Sequence, residues 1–378
     1  MNEIEEIIRR LPELERVGEI WEIADRRVEA GDAAFVADLG IASHQAAEAD
    51  WRVWQFGSVL DHALRLLAST PGRANVEQVV RLDAETGGQD ATTSGQGRAR
   101  YLASVLSSNQ SPGDLAVLFD GDATDASEEL RACLTHELVL RGEEVAQLPG
   151  ISAWATSPHW QDHPLRWLPL SRSAAERNPG LPRYNAHGAS ASLPFGPSDQ
   201  PDTQLPGTTS LVASEVMTPA RETAMTRAVA KWAEASNGRA EARVFDVDAP
   251  IESPRDLLGG LGLACLEGLG QRPGLSVAPC PVARAWQILF AAASMGGAYP
   301  SGVHGAYGRL AAWQSLAGMA GAAEDAPFDE VERLVNACTW YTFETRTGWF
   351  EQVAWDIGLV ATEPGARRLA VLAATDTD

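Results

Sequence analysis

The amino-acid sequence predicts an α+β protein, in which a helical N-terminal region is followed by an antiparallel sheet with packed helices. Three observations lead to this class. Apolar residues recur at helical spacing through the first 150 residues, proline and glycine crowd the segment 178–207, and residues near the C-terminus alternate with the period of a strand. We therefore expect a helical region at 1–170, a linker or long loop at 178–207 and an α+β region at 208–378.

The helical region is predicted from apolar spacing and from helix start signals. Side chains three and four residues apart fall on one face of a helix. One such stripe comprises Ile4, Ile7, Ile8, Leu11 and Leu14, and a later one comprises Trp51, Trp54, Val59, Leu60, Leu64 and Leu67. Ser111 precedes Pro112, a pair that is typical of a helix start. These patterns predict a series of amphipathic helices.

The segment 178–207 contains six prolines and four glycines. Proline lacks a backbone donor and glycine lacks conformational restraint, so neither a helix nor a central strand is expected there. The composition predicts a linker or a long surface loop.

The region 208–378 alternates between short β-rich runs and helices. The β-rich runs are Ser210–Val216, Ala242–Val247 and Trp340–Glu344. Residues 353–374 then form the clearest element, because residues 353–360 alternate with the period of a strand and 369–374 can return as a second strand. Between them, Pro364 and Gly365 suit the centre of a type II turn. The sequence therefore predicts a β-hairpin at its C-terminal end.

The charge balance narrows the choice of partners. Thirty Lys and Arg face fifty-one Asp and Glu, so the formal charge is −21. Such a surface repels phosphate backbones and anionic lipid heads, which argues against nucleic acid and membrane partners. We therefore expect that the partner is a basic protein or a second copy of the chain itself.

The acidic first residues and the short apolar stretches of the sequence predict a cytoplasmic location. The first residues are acidic, whereas a signal peptide begins with basic residues and an apolar run. No stretch approaches the ~20 apolar residues of a membrane helix. The basic residues comprise one lysine, Lys231, with arginine at every other position, a bias typical of a GC-rich bacterial genome.

Three segments near the C-terminus carry a resemblance. They are 296–318 (GGAYPSGVHGAYGRLAAWQSLAG), 347–358 (TGWFEQVAWDIG) and 368–378 (RLAVLAATDTD). Together they resemble a family of functionally uncharacterised, Streptomyces-like actinobacterial proteins, most strongly over residues 296–378. The resemblance implies a bacterial cytoplasmic setting, and it brings no activity, cofactor or catalytic residue.

The glycine-rich segment 296–309 is the leading candidate for a binding site. Its glycines are interleaved with Tyr299, His304, Tyr307 and Arg309, and a helix is expected on either side. Backbone N–H groups of such a segment can approach an anion, while His, Tyr and Arg supply charge and proton transfer. The same glycines also permit close helix packing, with the tyrosines in the core. Trp355 and Asp356 of the predicted hairpin complete the candidate ligand-binding set.

Paired carboxylates offer a second candidate. Asp246 and Asp248 share a strand face, as Asp376 and Asp378 do if the last strand continues. Such pairs can hold a cation, but acids two residues apart also arise by chance in so acidic a chain and protect edge strands. Whether either pair binds a cation is left open by the sequence.

For two further residue pairs, the sequence favours a structural role over a metal site or a catalytic couple. His159 and His163 lie between Pro158 and Pro164, which predicts a surface turn rather than a metal site. Cys133 and His136 lie three apart on a predicted helix, where a catalytic couple would need a geometry that spacing cannot supply. Neither a metal nor a cofactor is predicted.

The sequence lacks the common hydrolase, nucleotide-binding and metalloprotease signatures. We therefore expect a non-catalytic interaction or regulatory protein. The alternative is an enzyme or small-ligand binder whose pocket is formed by 296–309 and the C-terminal sheet. Whether the protein is an enzyme stays open at this point.

Overall fold

The structure is a computed structural model, and it describes residues 2–87, 93–120, 125–194, 211–269, 274–299, 301–353 and 355–377. The chain divides into two compact units. The helical unit comprises Met1–Arg166 and Leu181–Ala191, and the sheet unit comprises Trp167–Gly180 and Ser192–Asp378. The chain therefore leaves the helical unit at residue 166, returns to it at 181 and leaves it again after 191.

The helical unit is built mainly from consecutive helices. Their bounds are α1 Glu3–Arg10, α2 Gly18–Glu29, α3 Ala33–Ala49, α4 Trp54–Ser69, α5 Arg73–Glu85, α6 Thr93–Asn109, α7 Pro112–Leu115, α8 Glu128–Arg141, α9 Pro149–Trp154 and α10 Pro158–Asp162. Polar side chains cap several of them: Ser111 accepts a hydrogen bond from Asp114 N–H at the start of α7. The helical character predicted for the N-terminal region is confirmed.

Helix α8 is the most enclosed helix of this unit. Its residues 130–140 are all buried, although they include Thr135, His136 and Glu137. A helix that is covered on every side is ordinarily apolar all round, because an unsatisfied polar group in the interior is costly. The polar residues of α8 therefore need partners on neighbouring elements.

The prediction of a surface turn at His159 and His163 was wrong in part. Pro158 begins α10, because the first residue of a helix needs no backbone donor and proline is favoured there. Ser157 caps this helix by accepting a hydrogen bond from Trp160 N–H, and Trp160 is buried. His159 is exposed, so the predicted surface location is correct for this residue, whereas the predicted turn is a short helix.

The predicted linker or loop at 178–207 contains regular structure in its described part. A short antiparallel hairpin is formed by β1 (Arg183–Asn185) and β2 (Gly188–Ser190), and it belongs to the helical unit. Residues 195–207 lie outside the described residues. The boundaries of the predicted linker therefore stay a prediction.

In the sheet unit, the described residues form one antiparallel sheet of six strands in the order β3-β4-β8-β7-β6-β5. The strands are β3 Ala213–Glu215, β4 Arg239–Val247, β5 Leu275–Cys280, β6 Thr339–Thr345, β7 Trp355–Thr362 and β8 Arg368–Asp376. The helices are α11 Pro219–Thr226, α12 Ala230–Ala235, α13 Pro254–Leu258, α14 Val282–Met295, α15 His304–Met319 and α16 Phe328–Ala337.

The predicted C-terminal hairpin is confirmed as β7 and β8, which lie in the middle of the sheet. Ala366 N–H donates to Glu363 O over 2.9 Å, and Gly365 has a φ of 90°, which glycine adopts without a steric penalty. Residues 369–376 of β8 are buried throughout, as expected for a central strand that is covered on both faces.

The fold is α+β, with helices first and an antiparallel sheet packed with helices after them, as predicted. Among the described residues, no helix combines the length and the apolar composition needed to cross a membrane.

Candidate functional site

The glycine-rich segment meets the end of the C-terminal strand. Ala298 N–H donates to Asp376 Oδ2, with 2.7 Å between nitrogen and oxygen, and Asp376 lies opposite Trp355 in the β7–β8 register. The segment and the hairpin end that we predicted as two parts of one site are therefore adjacent. We call this region the corner, comprising residues 296–299, 351–353, 355–356 and 375–376.

The anion that the glycine-rich segment approaches in this structure is the protein's own Asp376. This carboxylate is fully buried, and a Cβ atom on Gly297 would lie only 2.0 Å from Asp376 Oδ2. A glycine is required here because the backbone passes so close to the carboxylate.

Asp356 is the second carboxylate of the corner. Its Oδ1 accepts from the Thr375 hydroxyl over 2.6 Å, and its Oδ2 accepts from Gln352 N–H over 2.9 Å. Burial raises the pKa of Asp356, although the hydrogen bonds from Thr375 and from backbone N–H groups act in the opposite direction. Trp355 beside it is half-buried.

Two residues at or near the corner hold a left-handed backbone. His304 and Gln352 both have a φ of 61°, which costs a non-glycine residue on the order of 1–3 kcal/mol. Such residues are enriched at functional sites, where the surrounding structure imposes them. His304 begins α15, so the glycine-rich loop is shorter than the predicted 296–309.

The other candidate side chains are distributed unevenly. Tyr299 is 65% exposed, whereas Tyr307 is half-buried on the first turns of α15. Tyr299 is therefore open to solvent, unlike the residues that line the loop's contact with Asp376.

Arg309 is fully buried and forms part of the core of the sheet unit. Its Nε lies 2.7 Å from Glu176 Oε1, and its Nη2 lies 2.9 Å from Glu176 Oε2. Arg309 also donates to Pro169 O and Ser171 O, while Trp313 Nε1–H donates to Glu176 Oε1. This bidentate ion pair orders the segment 167–180 against α15.

The carboxylate pairs have partners within the protein. Asp246 forms a bidentate ion pair with Arg368, at 2.6 and 3.1 Å. Asp248 Oδ1 accepts from Val212 N–H over 3.0 Å, and Asp376 contacts the loop as described. Asp378 lies outside the described residues. Among the residues that the structure describes, no group of three or more His, Cys, Asp or Glu is arranged to hold a metal ion.

The imidazole of His163 makes hydrogen bonds through both ring nitrogens. Nε2 lies 3.0 Å from Glu129 Oε2, and Nδ1 accepts from Leu165 N–H over 3.2 Å. Cys133 Sγ lies 3.8 Å from Glu129 Oε1. Burial raises the pKa of the Cys133 thiol, with Glu129 adding to the effect, so the thiol stays protonated and is a poor nucleophile.

A row of polar groups on α6, α8 and β1 was missed by the sequence analysis. We call it the polar seam: Tyr101, Ser104, Glu137, Arg141 and Tyr184. The Ser104 hydroxyl donates to Glu137 Oε1, and Tyr101 packs edge-on against Tyr184 at 6.1 Å. Burial raises the pKa of Tyr184 to about 12, and Glu137 adds to this rise. The sequence offered one sign of this row, because the polar residues Thr135–Glu137 stand together inside an apolar helix.

Two tryptophans were assigned to the apolar stripe of a helix, and the structure places both at the surface. Trp51 is 82% exposed and Trp54 is 56% exposed, at the turn between α3 and α4. Spacing alone misled here because α4 begins only at Trp54, so Trp51 precedes the helix. The adjacent Val53 packs on the apolar core in their place.

Asp83 on α5 is a buried carboxylate with an ionic partner. Arg98 Nη1 lies 3.8 Å from Asp83 Oδ1 and also donates to Thr86 O over 2.9 Å. Burial raises the pKa of Asp83 to about 6, although Arg98 acts in the opposite direction. The folded state thus holds this proton to a higher pH than the unfolded chain does.

We expect Asp83→Asn to stabilise the protein near pH 7.5 and to have little effect near pH 4. Between the ordinary value of 3.8 and about 6 the folded state binds more protons, so the wild-type free energy of unfolding falls as pH rises. The asparagine variant lacks this fall, and its advantage at neutral pH should reach roughly 2–3 kcal/mol. Urea unfolding at the two pH values measures it, and equal stability at neutral pH would contradict the prediction.

The two units define the class of the protein as α+β, with an internally hydrogen-bonded corner on the sheet unit and an exposed tryptophan pair on the helical unit. The model of a Family of unknown function (DUF6183) matches residues 18–378, and the chain belongs to this family. The resemblance to a functionally uncharacterised family is confirmed at that level. No curated protein and no solved structure matches the chain.

Proposed function

We propose that the protein is a non-catalytic interaction protein, and that Trp51 and Trp54 bind an arginine- or lysine-rich segment of a protein partner. The exposure of both indoles is the observation that carries the proposal. Tryptophan is enriched among the residues that dominate binding energy at protein interfaces, and its ring is the best aromatic acceptor for a cation.

The charges around the two indoles favour a basic partner. Glu48 and Asp50 are exposed immediately before Trp51. Gln55 Nε2–H donates to Leu14 O over 2.9 Å, which brings the exposed Glu13 and Glu15 to the same end of α4. Arg16 and Arg52 supply two positive charges against the four negative charges of these acids. A cation seated on an indole would therefore find carboxylates nearby.

The overall charge supports a heterologous partner over a second copy of the chain. Two copies at −21 each repel one another, and the same charge disfavours nucleic acid and anionic membranes. Self-association remains a possible result of the binding experiment, where it would appear as a concentration-dependent mass without added peptide.

A small-ligand site at the corner is the second candidate. The left-handed backbone at His304 and Gln352 favours it. Against it, Asp376 and Arg309 are both engaged within the protein, with Ala298 N–H and Glu176 respectively. We therefore rank the tryptophan surface first.

The double variant Trp51→Ala/Trp54→Ala should weaken binding of an Arg-Gly repeat peptide by about tenfold or more. Its melting temperature should change little, because surface substitutions away from special features cost less than about 0.5 kcal/mol. Fluorescence anisotropy of the labelled peptide measures the affinity. A repeat with glutamate in place of arginine should not bind.

Val212→Ala, at another exposed apolar position (64% exposed), is the matched control and should bind like wild type. Unchanged peptide affinity in the double variant would reject the tryptophan surface. If the peptide is instead lost on His304→Ala, the second candidate is favoured.

We also infer a cytoplasmic setting in an actinobacterium. Buried free cysteines such as Cys133 and Cys338 suit a reducing compartment. The single lysine among thirty basic residues supports a GC-rich bacterial genome.

A further inference from the structure

Aromatic side chains hold the β1–β2 hairpin against the helical unit. Among its described residues, 183–190, none is fully buried. Tyr184 packs against Tyr101 of α6, and His187 stacks on His62 of α4, with ring centroids 6.1 Å apart in each case. Strands of three residues are not stable by themselves, so the hairpin depends on these contacts.

The docking partner of His187 is an enclosed imidazole. The side chain of His62 is only 3% exposed. Trp21 stacks on one side of its ring at 4.9 Å and 15°, and His187 stacks at 6.1 Å and 28°. His62 Nε2 lies 3.1 Å from Asp25 Oδ1.

We propose that the β1–β2 hairpin is a pH-operated clasp, which is docked on the stacked imidazole of His62 while His62 is neutral and is released when His62 is protonated. A proton on His62 places a positive charge on an enclosed ring against which His187 packs, in surroundings where the effective dielectric constant is lower than in water. Histidine is the side chain whose ordinary titration falls between pH 5 and 8.

Charged and titratable groups of the described residues act on His62 from α2, α4 and the hairpin. Asp25 on α2 raises its pKa, whereas Arg65 on α4 and His187 on the hairpin lower it. Arg65 Nε–H also donates to the Tyr101 hydroxyl on α6. Asp25 can offset one positive charge, but it cannot offset both a protonated His62 and Arg65.

The direction of the pH effect follows from His62. Burial lowers the pKa of His62; Asp25 opposes this, and His187 and Arg65 add to the lowering. Release of the hairpin removes the contribution of His187 to this lowering, so the released state binds more protons than the docked state as pH falls. Docking is favoured at neutral pH and loses stability on acidification, by up to about tenfold in its equilibrium constant per pH unit for each proton taken up.

The flanking chain favours release of the hairpin as a unit. Pro179, Gly180 and Pro182 precede it, and none of them can continue a helix or a ladder. Release would uncover the part of the polar seam that Tyr184 covers, where the Ser104 hydroxyl donates to Glu137. The clasp would thereby expose a carboxylate that is buried at neutral pH.

Hydrogen exchange of the full chain near pH 7.5 and near pH 5.5 tests the clasp. After correction for intrinsic exchange, backbone amides of 183–190 should lose about tenfold of their protection at the lower pH in wild type. In His187→Gln this loss should shrink to a small factor, because the imidazole that stacks on His62 and lowers its pKa is gone. His159→Gln, at an exposed histidine on α10, is the matched control and should behave like wild type.

Three outcomes would overturn the proposal. Hairpin protection that is equal at the two pH values contradicts it directly. An unaltered pH dependence in His187→Gln would assign the effect to another group. A matching loss of protection at Val36 and Leu39, buried on α3, would show acid unfolding of the whole unit instead. Tyr184→Phe should lower hairpin protection at both pH values alike, since it removes only the hydrogen bond between the Tyr184 hydroxyl and Ser104.

Discussion

Glu176→Ala should lower the free energy of unfolding of the protein by about 3–5 kcal/mol. The substitution removes both hydrogen-bonded oxygens from a fully buried Arg309, which is left as an uncompensated interior charge. It also leaves Trp313 Nε1–H without its acceptor. Urea or thermal unfolding measures the loss.

Two further variants show whether charge or packing is responsible. Glu176→Gln keeps an acceptor for Trp313 but not the negative charge, so most of the loss should persist. The pair Glu176→Leu with Arg309→Met removes both charges and should recover much of the stability, because apolar replacements of buried ion pairs are often tolerated. A Glu176→Ala variant as stable as wild type would show that Arg309 finds other compensation.

Gly297→Ala should destabilise the sheet unit by about 2–4 kcal/mol. The new methyl group would lie 2.0 Å from Asp376 Oδ2 and 3.0 Å from Trp232 Cδ1, so the loop must move away. That movement breaks the hydrogen bond from Ala298 N–H and leaves the buried carboxylate short of a donor. The melting temperature and the exchange rate of the Ala298 amide report the two effects separately.

Gly57→Ala is the matched control. Gly57 lies on the exposed face of α4, and no heavy atom of the described residues lies within 4 Å of a Cβ placed there. The same methyl group should therefore stabilise the protein by about 0.5–1 kcal/mol, through helix propensity alone. If both alanine variants shift stability alike, the close approach at Gly297 is not the cause.

The C-terminal hairpin was predictable because its signal is local. The alternation over residues 353–360, the Pro364–Gly365 turn and the apolar run of β8 lie within one short stretch of chain. Strand β5 was missed, since Pro279 near its end favours a break and only pairing with β6 shows that the strand is at the sheet edge, where proline is tolerated. The hairpin at 183–190 was missed for a related reason, because its stability comes from contacts with distant helices.

The sequence grouped the glycine-rich segment with Trp355 and Asp356 of the hairpin, and the hydrogen bond from Ala298 to Asp376, which lies opposite Trp355, brings them together. That these residues form a binding site stays a prediction. No pattern along the chain revealed that Arg309 pairs with Glu176, 133 residues earlier. Burial of Glu137 and exposure of Trp51 likewise depend on tertiary packing, which spacing does not report.

The route of the chain has a consequence for any attempt to divide the molecule. Residues 167–180 carry Glu176 into the sheet unit, and residues 181–191 carry Tyr184 and His187 into the helical unit. A single break between Gly180 and Leu181 would therefore leave each piece with a segment that belongs to the unit of the other piece. The N-terminal piece would hold the counterion of Arg309, and the C-terminal piece would hold the cover of Ser104 and Glu137. Neither piece would therefore contain all the residues of its own unit, and we expect that neither folds completely without the other.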